Sequence, residues 1–334
     1  MKKLLKALGI ILLIPIILFA GIFVFIAIEI TVYDNFTYII NNDRETCTIT
    51  GVKNGSTYTI NIPEEIDGYT VTKIASWAFK EQKCVSVQLP KTIEYIGEGA
   101  FLSCENLISV TGLEKCTNLK EIQPQTFRGC HSLSDIILPE GLEKIGRVAF
   151  ISCYKLDSII IPSNVTVIDD GAFVINYSMT EIKIPASVEY IGVEAFEACM
   201  YLKSVEVDSQ NDNYCSVDGV LYNKDMTMIH TYPCNKPGNE FTIPDSVTTI
   251  PVSTFTYSYY LETLNIPTSV KNIEKDAIKD TVNIAKISKI NYNGTVDMWN
   301  DVNRDPDWAW RYLPDYTIYC TDGKISKDGT VTYY

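Results

Sequence analysis

The stretch LDSIIIPSNVTVIDDGAF, residues 156–173, decides the fold. Leu156, Ile159 and Ile161 are apolar, Pro162 follows, then Val165, Ile168 and the pair Ala172-Phe173. The short Ile-x-Ile alternation has the two-residue period of a strand, whose successive side chains point to opposite faces. Proline directly after it removes a backbone donor and ends the strand. The small-residue-Phe pair then belongs to a short turn or helical piece that drives the ring between layers. Neighbouring segments repeat this order: Leu133, Ile136 and Leu138 precede Pro139, and Met179, Ile182 and Ile184 precede Pro185.

Working outward, the same Phe recurs at 79, 101, 127, 150, 173, 196 and 255, with Ile278 as a worn copy. The intervals are 22, 26, 23, 23, 23, 59 and 23, and 59 is one 23-residue step plus 36 inserted residues. A fixed period in this range marks a solenoid. One unit cannot bury its apolar set alone, but stacked units bury it together. The expected fold class is an α/β solenoid, with a parallel β-sheet on its concave face, an inserted β-hairpin and terminal caps.

Copies such as LPEGLEKIGRVAFISCYKLDSIIIP (138–162) and IPASVEYIGVEAFEACMYLKSVEV (184–207) carry a family resemblance. The series resembles the 23-residue BspA-like leucine-rich repeats of surface proteins of bacteria and some protozoa, over roughly residues 36–325. Two departures are visible. The unit after Phe101 holds three extra residues around Glu114-Lys115-Cys116, and the Ile278 unit has lost its Phe. Residues 36–79 resemble the family's opening hairpin and first repeat, and NYNGTVDMWNDV followed by TIYCTDGKIS resembles its closing segment. Thr295 and Trp299 there stand at helical i,i+4 spacing, and Trp299 is expected to plug the end of the stack. The resemblance implies a non-enzymatic surface protein engaged in adhesion to host, matrix or neighbouring-cell proteins. A structural or self-associating envelope protein is the alternative, and a glycan-binding module the third reading.

The expected organisation is a signal anchor over 1–30, a hairpin cap over 31–63, the solenoid over 64–290 with its insertion at about 208–242, and a closing cap over 291–334. In the first segment Lys2, Lys3 and Lys6 precede 22 uncharged residues, 7–28, closed by Glu29. As a helix these span about 33 Å, enough for a ~30 Å hydrocarbon core. They predict a single-pass transmembrane helix with a cytoplasmic amino terminus and the repeats outside; secretion after signal cleavage is the alternative. Lys and Arg number 28 against 41 Asp and Glu, a net charge of −13. Residues 1–30 carry +2, which leaves −15 on the remainder. Such a chain cannot neutralise phosphates, so no nucleic-acid partner is expected.

The insertion contains YCSVDGVLYNKDMTMIHTYPC, residues 214–234, read as two strands turning at Asn223-Lys224-Asp225. A register in which Tyr222 faces Thr227 sets Cys215 against Cys234, a candidate disulfide. Tyr214, Tyr222 and Tyr232 are candidate contact residues, since tyrosine suits interface anchoring. Cys104, Cys130, Cys153 and Cys199 each fall three residues after a repeat Phe and are expected to form a buried ladder. Asp208, Asn211, Asp212 and Asn213 cluster oxygen atoms but lack the spacing of a calcium loop. His131 and His230 stand about one hundred residues apart, with no nucleophile, metal or phosphate motif beside either. Neither a catalytic residue, nor a metal ligand, nor a cofactor is expected.

Strand register predicts the outward residues of the concave face. They run from Thr59 and Asn61 through Ser86, Gln88, Ser109 and Thr111 to Glu240, Thr242, Thr263 and Asn265. The candidate binding strip is the middle of this series: Asp135, Ile137, Ser158, Ile160, Glu181, Lys183, Ser204 and Glu206. Ile137 and Ile160 stand out where a solvated strand would carry polar side chains. Five N-x-[ST] sequons (Asn35, Asn54, Asn164, Asn176 and Asn293) matter only where exported protein is glycosylated.

Overall fold

The computed structural model describes residues 10–17, 23–33, 36–53, 59–278, 286–309 and 315–334. The chain forms two compact units, Met1–Phe150 and Ile151–Tyr334.

In the first unit the strands Thr59–Asn61, Ser86–Gln88, Ser109–Thr111 and Asp135–Ile136 pair in parallel, each residue beside its counterpart one repeat away. In the second, Glu181–Ile184 pairs with Ser204–Val207. After the insertion Glu240–Thr242, Thr263–Ile266, Lys289–Tyr292 and Thr317–Tyr319 continue as another parallel ladder. A second set of two-residue strands follows the first within the repeats. Glu121–Ile122 pairs with Lys144–Ile145, and Val167–Ile168 with Tyr190–Ile191. The sequence reading recognised only the first ladder, because two residues are too few to show an alternation. Gly97, Gly146 and Gly192 end members of this second set, and a Cβ on any of them would lie 2.3–2.7 Å from the backbone of an adjacent turn. Those glycines permit the close stacking of turns.

The Phe pieces are turns, which corrects the α/β expectation. Among the described residues the only helices are Val296–Asn300 and the single 3-10 turn Leu113–Lys115. The reason lies two residues to either side of each Phe. Before it, Trp77, Gly99, Gln125, Val148, Gly171, Glu194 and Ser253 all have positive φ. After it, Glu81, Ser103, Gly129, Ser152, Ile175, Ala198 and Tyr257 do the same. Left-handed residues at both flanks leave no run long enough for a helix, and each non-glycine there costs about 1–2 kcal/mol. Stacking offsets that cost. Phe79, Phe101, Phe127 and Phe150 are fully buried, with successive centroids 5.3, 5.4 and 5.3 Å apart and planes within 17°. Phe173 and Phe196 stack at 5.8 Å in the second unit.

Val148 is the β-branched residue least suited to its φ of 48°. Val148→Gly is therefore expected to stabilise the protein by about 0.5–1 kcal/mol. The urea midpoint should rise; an unchanged or lower midpoint would show that side-chain packing at 148 outweighs the backbone strain.

The cysteine ladder is present. Cys104 and Cys130 donate their thiols to the carbonyls of Phe79 and Phe101 at 3.0 and 3.2 Å, and Cys199 to that of Phe173 at 3.1 Å. The equivalent positions elsewhere hold Asn176 and Ser258, which donate instead to the carbonyl of their own repeat's Phe, three residues earlier. The column thus requires a small buried donor rather than a thiol as such. Asn176 is fully buried and engaged this way, so its sequon is inaccessible in the folded chain.

Both caps form. Phe36–Ile40 and Thr46–Val52 make an antiparallel hairpin that pairs onto Tyr69–Ile74. At the other end the Thr295 side chain caps the helix by accepting from Met298 N, and Trp299 is buried against Tyr292 and Trp308. The transmembrane helix expected over 7–28 is not what the structure shows. Ile10–Ile17 and Phe23–Tyr33 are antiparallel strands, Ile10 opposite Ile30, while residues 1–9 and 18–22 lie outside the described residues. Among the described residues no helix is long and apolar enough to cross a membrane. A run rich in Ile, Val and Phe satisfies strand and buried helix alike, and periodicity does not separate them.

Candidate functional site

Exposure along the strand face follows the predicted alternation. In the first unit Asp135 and Ile137 point outward around buried Ile136, with Ile137 60% exposed. In the second unit Ser158 and Ile160 flank buried Ile159, and Glu181 and Lys183 flank buried Ile182. Ser204 and Glu206 flank Val205, with Glu206 exposed and Ser204 half-buried. The residues from Ser158 to Asp208 line a groove of about 670 Å³. Ile160, at 83% exposure, is its apolar feature. Lys183 and Glu206 face each other across it at 3.5 Å. That pair is solvent-exposed and contributes little to stability, so both charges remain available to a partner.

Ser204 is half-buried because the insertion ends the strip there. Strands Tyr214–Val217 and Val220–Asn223 turn at Asp218-Gly219, where Gly219 has φ 78°. A Cβ on Gly219 would lie 2.8 Å from that of Ser204, and the Gly219 carbonyl accepts from Val205 N at 2.9 Å.

This turn corrects the register expected for the insertion. Cys215 pairs with Tyr222 and Tyr222 with Ile229. The element is a three-stranded meander: a turn at Asp218-Gly219 precedes the expected turn after Asn223, and Tyr222 faces Ile229 rather than Thr227. The two candidate disulfide partners are free thiols with separate acceptors. Cys215 reaches the Asn223 carbonyl at 3.5 Å and Cys234 the Thr256 carbonyl at 3.4 Å. Asp218-Gly219 is itself a hairpin turn signal, so the segment holds two turns and three strands.

The candidate contact residues Tyr214, Tyr222 and Tyr232 are buried, so they belong to the core and not to a surface. Their role is legible from their bonds. The Tyr214 hydroxyl accepts from Ile191 N at 2.8 Å, and His230 Nε2 meets the Ile191 carbonyl at 3.0 Å. Together they satisfy the backbone of Tyr190–Ile191. The oxygen cluster of the insertion is likewise structural. Asn211 is fully buried, donating to the carbonyls of Pro185 and Val188 and accepting from Asn213 N and Tyr214 N, at 2.8–2.9 Å.

His230 carries a pH consequence. Nε2 donates to the Ile191 carbonyl, and Nδ1 lies 3.1 Å from Thr231 Oγ1. Burial pushes its pKa below the ordinary 6.5. The unfolded chain therefore takes up a proton that the folded chain resists. The contribution is complete above pH 6.5 and is lost as pH falls from there towards the folded pKa. Urea midpoints measured from pH 8 to pH 5 should fall below pH 6.5 in the native protein, and less steeply in His230→Gln. Parallel curves for the two proteins would refute the assignment.

The repeat geometry can now be set beside known proteins. A model of the BspA type leucine rich repeat region matches residues 53–121, 114–217 and 230–298, more than half of the chain. The chain belongs to the BspA-type leucine-rich-repeat family. Its fold is similar to that of a leucine rich cell surface protein from Faecalibacterium prausnitzii, 24% identical, TM-score 0.61, covering 83% of this chain and 98% of that one. It is also similar to the pneumococcal vaccine antigen PcpA, at 22% identity and TM-score 0.66, over 79% of this chain and 82% of that one. A leucine-rich repeat protein from Bacteroides ovatus shows 25% identity and TM-score 0.59, over 78% and 70%. No curated protein matches the chain.

Among the described residues, no group of His, Cys, Asp and Glu could hold a metal ion. The BspA-type repeat thus presents, in its second unit, a groove with one apolar anchor and two charges of opposite sign.

Proposed function

We propose that this BspA-type protein is displayed on a bacterial cell surface and binds protein partners, on host, matrix or neighbouring cells, through the strand-face groove around Ile160. The observation that carries the reading is Ile160 itself: an isoleucine 83% exposed, beside Lys183 and Glu206, in a column otherwise largely polar. Burying that side chain on a partner contributes about 1.5–3 kcal/mol, and the two charges fix orientation. Surface display rests on family membership and on the surface location named for the F. prausnitzii protein.

The test is binding of the purified protein to immobilised matrix proteins and to intact host and bacterial cells. Ile160→Lys is expected to weaken binding by about tenfold or more with its melting temperature unchanged. Binding that survives the substitution rejects the groove.

A second reading, self-association, is favoured by the strand Val331–Tyr333. It is the last strand of its six-stranded sheet and is exposed throughout. An uncovered edge can pair with a second copy. Sedimentation of the intact protein at rising concentration decides it.

The apolar segment 7–28 is proposed to attach the protein to the membrane, with the amino terminus cytoplasmic. Resistance of the membrane-bound protein to alkaline carbonate extraction supports the anchor; a soluble product lacking residues 1–30 points to secretion.

A further inference from the structure

The Phe turns carry a second feature, unrelated to the strand face. Counting four residues beyond each repeat Phe, the first unit has Lys83, Glu105 and His131. The second has Tyr154, Tyr177, Met200 and Tyr259. One residue further on, Tyr201 and Tyr260 occupy positions that hold Cys84, Asn106 and Ser132 in the first unit. The fold therefore accepts polar side chains here, and stacking the turns does not require these aromatic rings.

In the second unit they come together. Tyr177, Tyr201, Tyr257, Tyr259 and Tyr260 line a trough of about 720 Å³. Its remaining polar side chains are Glu197 and Asn235. Asn235 is placed by the returning end of the insertion, which runs between two Phe turns: Asn235 N donates to the Leu202 carbonyl and Tyr259 N to the Cys234 carbonyl, both at 2.8 Å. The rings support one another. Tyr177 stacks on Tyr154 at 5.0 Å, Tyr260 meets Tyr259 edge-on at 4.9 Å, and the Lys286 ammonium lies over the Tyr259 ring at 5.0 Å. Tyr201 nonetheless remains 59% exposed, and Tyr177, Tyr259 and Tyr260 about 40%. Tyr177, Tyr259 and Tyr260, held in place and left in water, are preorganised for a ligand, so little of their ordering entropy remains to be lost on binding.

The chemistry of the lining selects the class. The volume lies in the range of small-ligand sites. Among the described residues the lining itself holds one carboxylate and no lysine or arginine, and the Lys286 ammonium beside it is already engaged over the Tyr259 ring, which disfavours an anion. A lone quaternary ammonium needs a close aromatic cage on several sides, and this trough is several times too wide for one. A neutral sugar matches each part. The C–H face of its ring lies flat on an aromatic face, while hydroxyls around its rim exchange hydrogen bonds with a carboxylate, an amide and phenol groups.

We propose that this tyrosine trough is a binding site for a neutral oligosaccharide, independent of the strand-face groove and unaffected by its failure. Tyr201 is the principal stacking platform, and Glu197 and Asn235 orient the sugar hydroxyls.

The test uses the full chain in detergent on an array of neutral glucose, galactose and N-acetylglucosamine oligosaccharides, followed by titration calorimetry of the best-retained probe. Tyr201→Ala should lower affinity about tenfold, whereas Tyr201→Phe, which keeps the ring, should stay within about threefold. Tyr201 is exposed, so both variants should fold, as their melting curves will show. Retention of no neutral oligosaccharide above background overturns the proposal. So does an affinity that Tyr201→Ala leaves unchanged. Choline or a proline-rich peptide bound through Tyr201, with no sugar retained, also overturns it by assigning the trough to another class.

Discussion

Phe101→Ala is expected to destabilise the protein by about 3–5 kcal/mol, the range for truncating a fully buried aromatic ring. The ring of Phe101 lies between those of Phe79 and Phe127, 5.3 and 5.4 Å away and nearly coplanar in orientation with both. Removing it opens a void that two stacked neighbours border. The turn around it cannot collapse to fill the space, because Gly99 and Ser103 hold positive φ on either side. The carbonyl of Phe101 also accepts the Cys130 thiol, so movement of this backbone reaches the next turn. In a repeat stack each turn is stabilised mainly by its neighbours. The melting temperature should fall by roughly 10 °C or more, and hydrogen exchange should rise first in residues 79–130. A variant that melts within a degree or two of the native protein would mean that the Phe column does not hold the turns together.

The second large effect is expected at Asn211. Its side-chain amide makes four hydrogen bonds inside the protein, two donated to carbonyls of the preceding turn and two accepted from the insertion. Asn211→Ala leaves two carbonyls and two backbone N–H groups without those partners at a fully buried position. Each unsatisfied group costs about 1–3 kcal/mol, with water recovering part of the loss. A destabilisation of about 3–5 kcal/mol follows. Asn211→Asp separates geometry from size: it fits the space but aims a carboxylate at the carbonyls of Pro185 and Val188. It should therefore be destabilised and should recover as its carboxyl is protonated at acid pH. Denaturant melts of both variants test this. An Asn211→Ala protein with native stability would show that the insertion is held by its strands alone.

These two residues differ in how far the sequence reveals them. Phe101 is visible because it recurs; seven copies at near-constant spacing fix its burial without a structure. Asn211 occurs once, among three other oxygen-bearing side chains, and reads equally well as part of an ion site. Only the fold shows its amide against Pro185 and Val188. The cysteine column was legible for the same reason as the Phe column, although the feature it shares with Asn176 and Ser258, donation to a Phe carbonyl, required coordinates. In the insertion the strand tendency was visible and the pairing was not. Asp218-Gly219 and the residues after Asn223 both turn, so the segment holds three strands where the sequence suggests two, and Cys215 pairs with Tyr222 instead of facing Cys234. Tyr214, Tyr222 and Tyr232 are buried because the meander packs onto the core, which no local pattern records. The exposed tyrosines at 177, 201, 259 and 260 stand in two adjacent repeat columns. Comparing those columns between the earlier and later repeats would have found them.

By itself the sequence determined what repetition averages over: the 23-residue period, the first ladder with its outward rows, the buried Phe and Cys columns, and the caps with Thr295 and Trp299. Those features recur or follow a local rule, so each copy constrains the others. The tertiary structure alone decided what occurs once. It chose turns over helices through the left-handed residues flanking each Phe. It set the register of the insertion, put the Tyr214 hydroxyl on the backbone of Ile191 and buried Tyr222 and Tyr232 in the core. It also gathered side chains from separate turns into the groove around Ile160 and the tyrosine trough. The physical reason is that a repeat encodes contacts between equivalent positions, whereas a site brings together residues whose proximity no local pattern records.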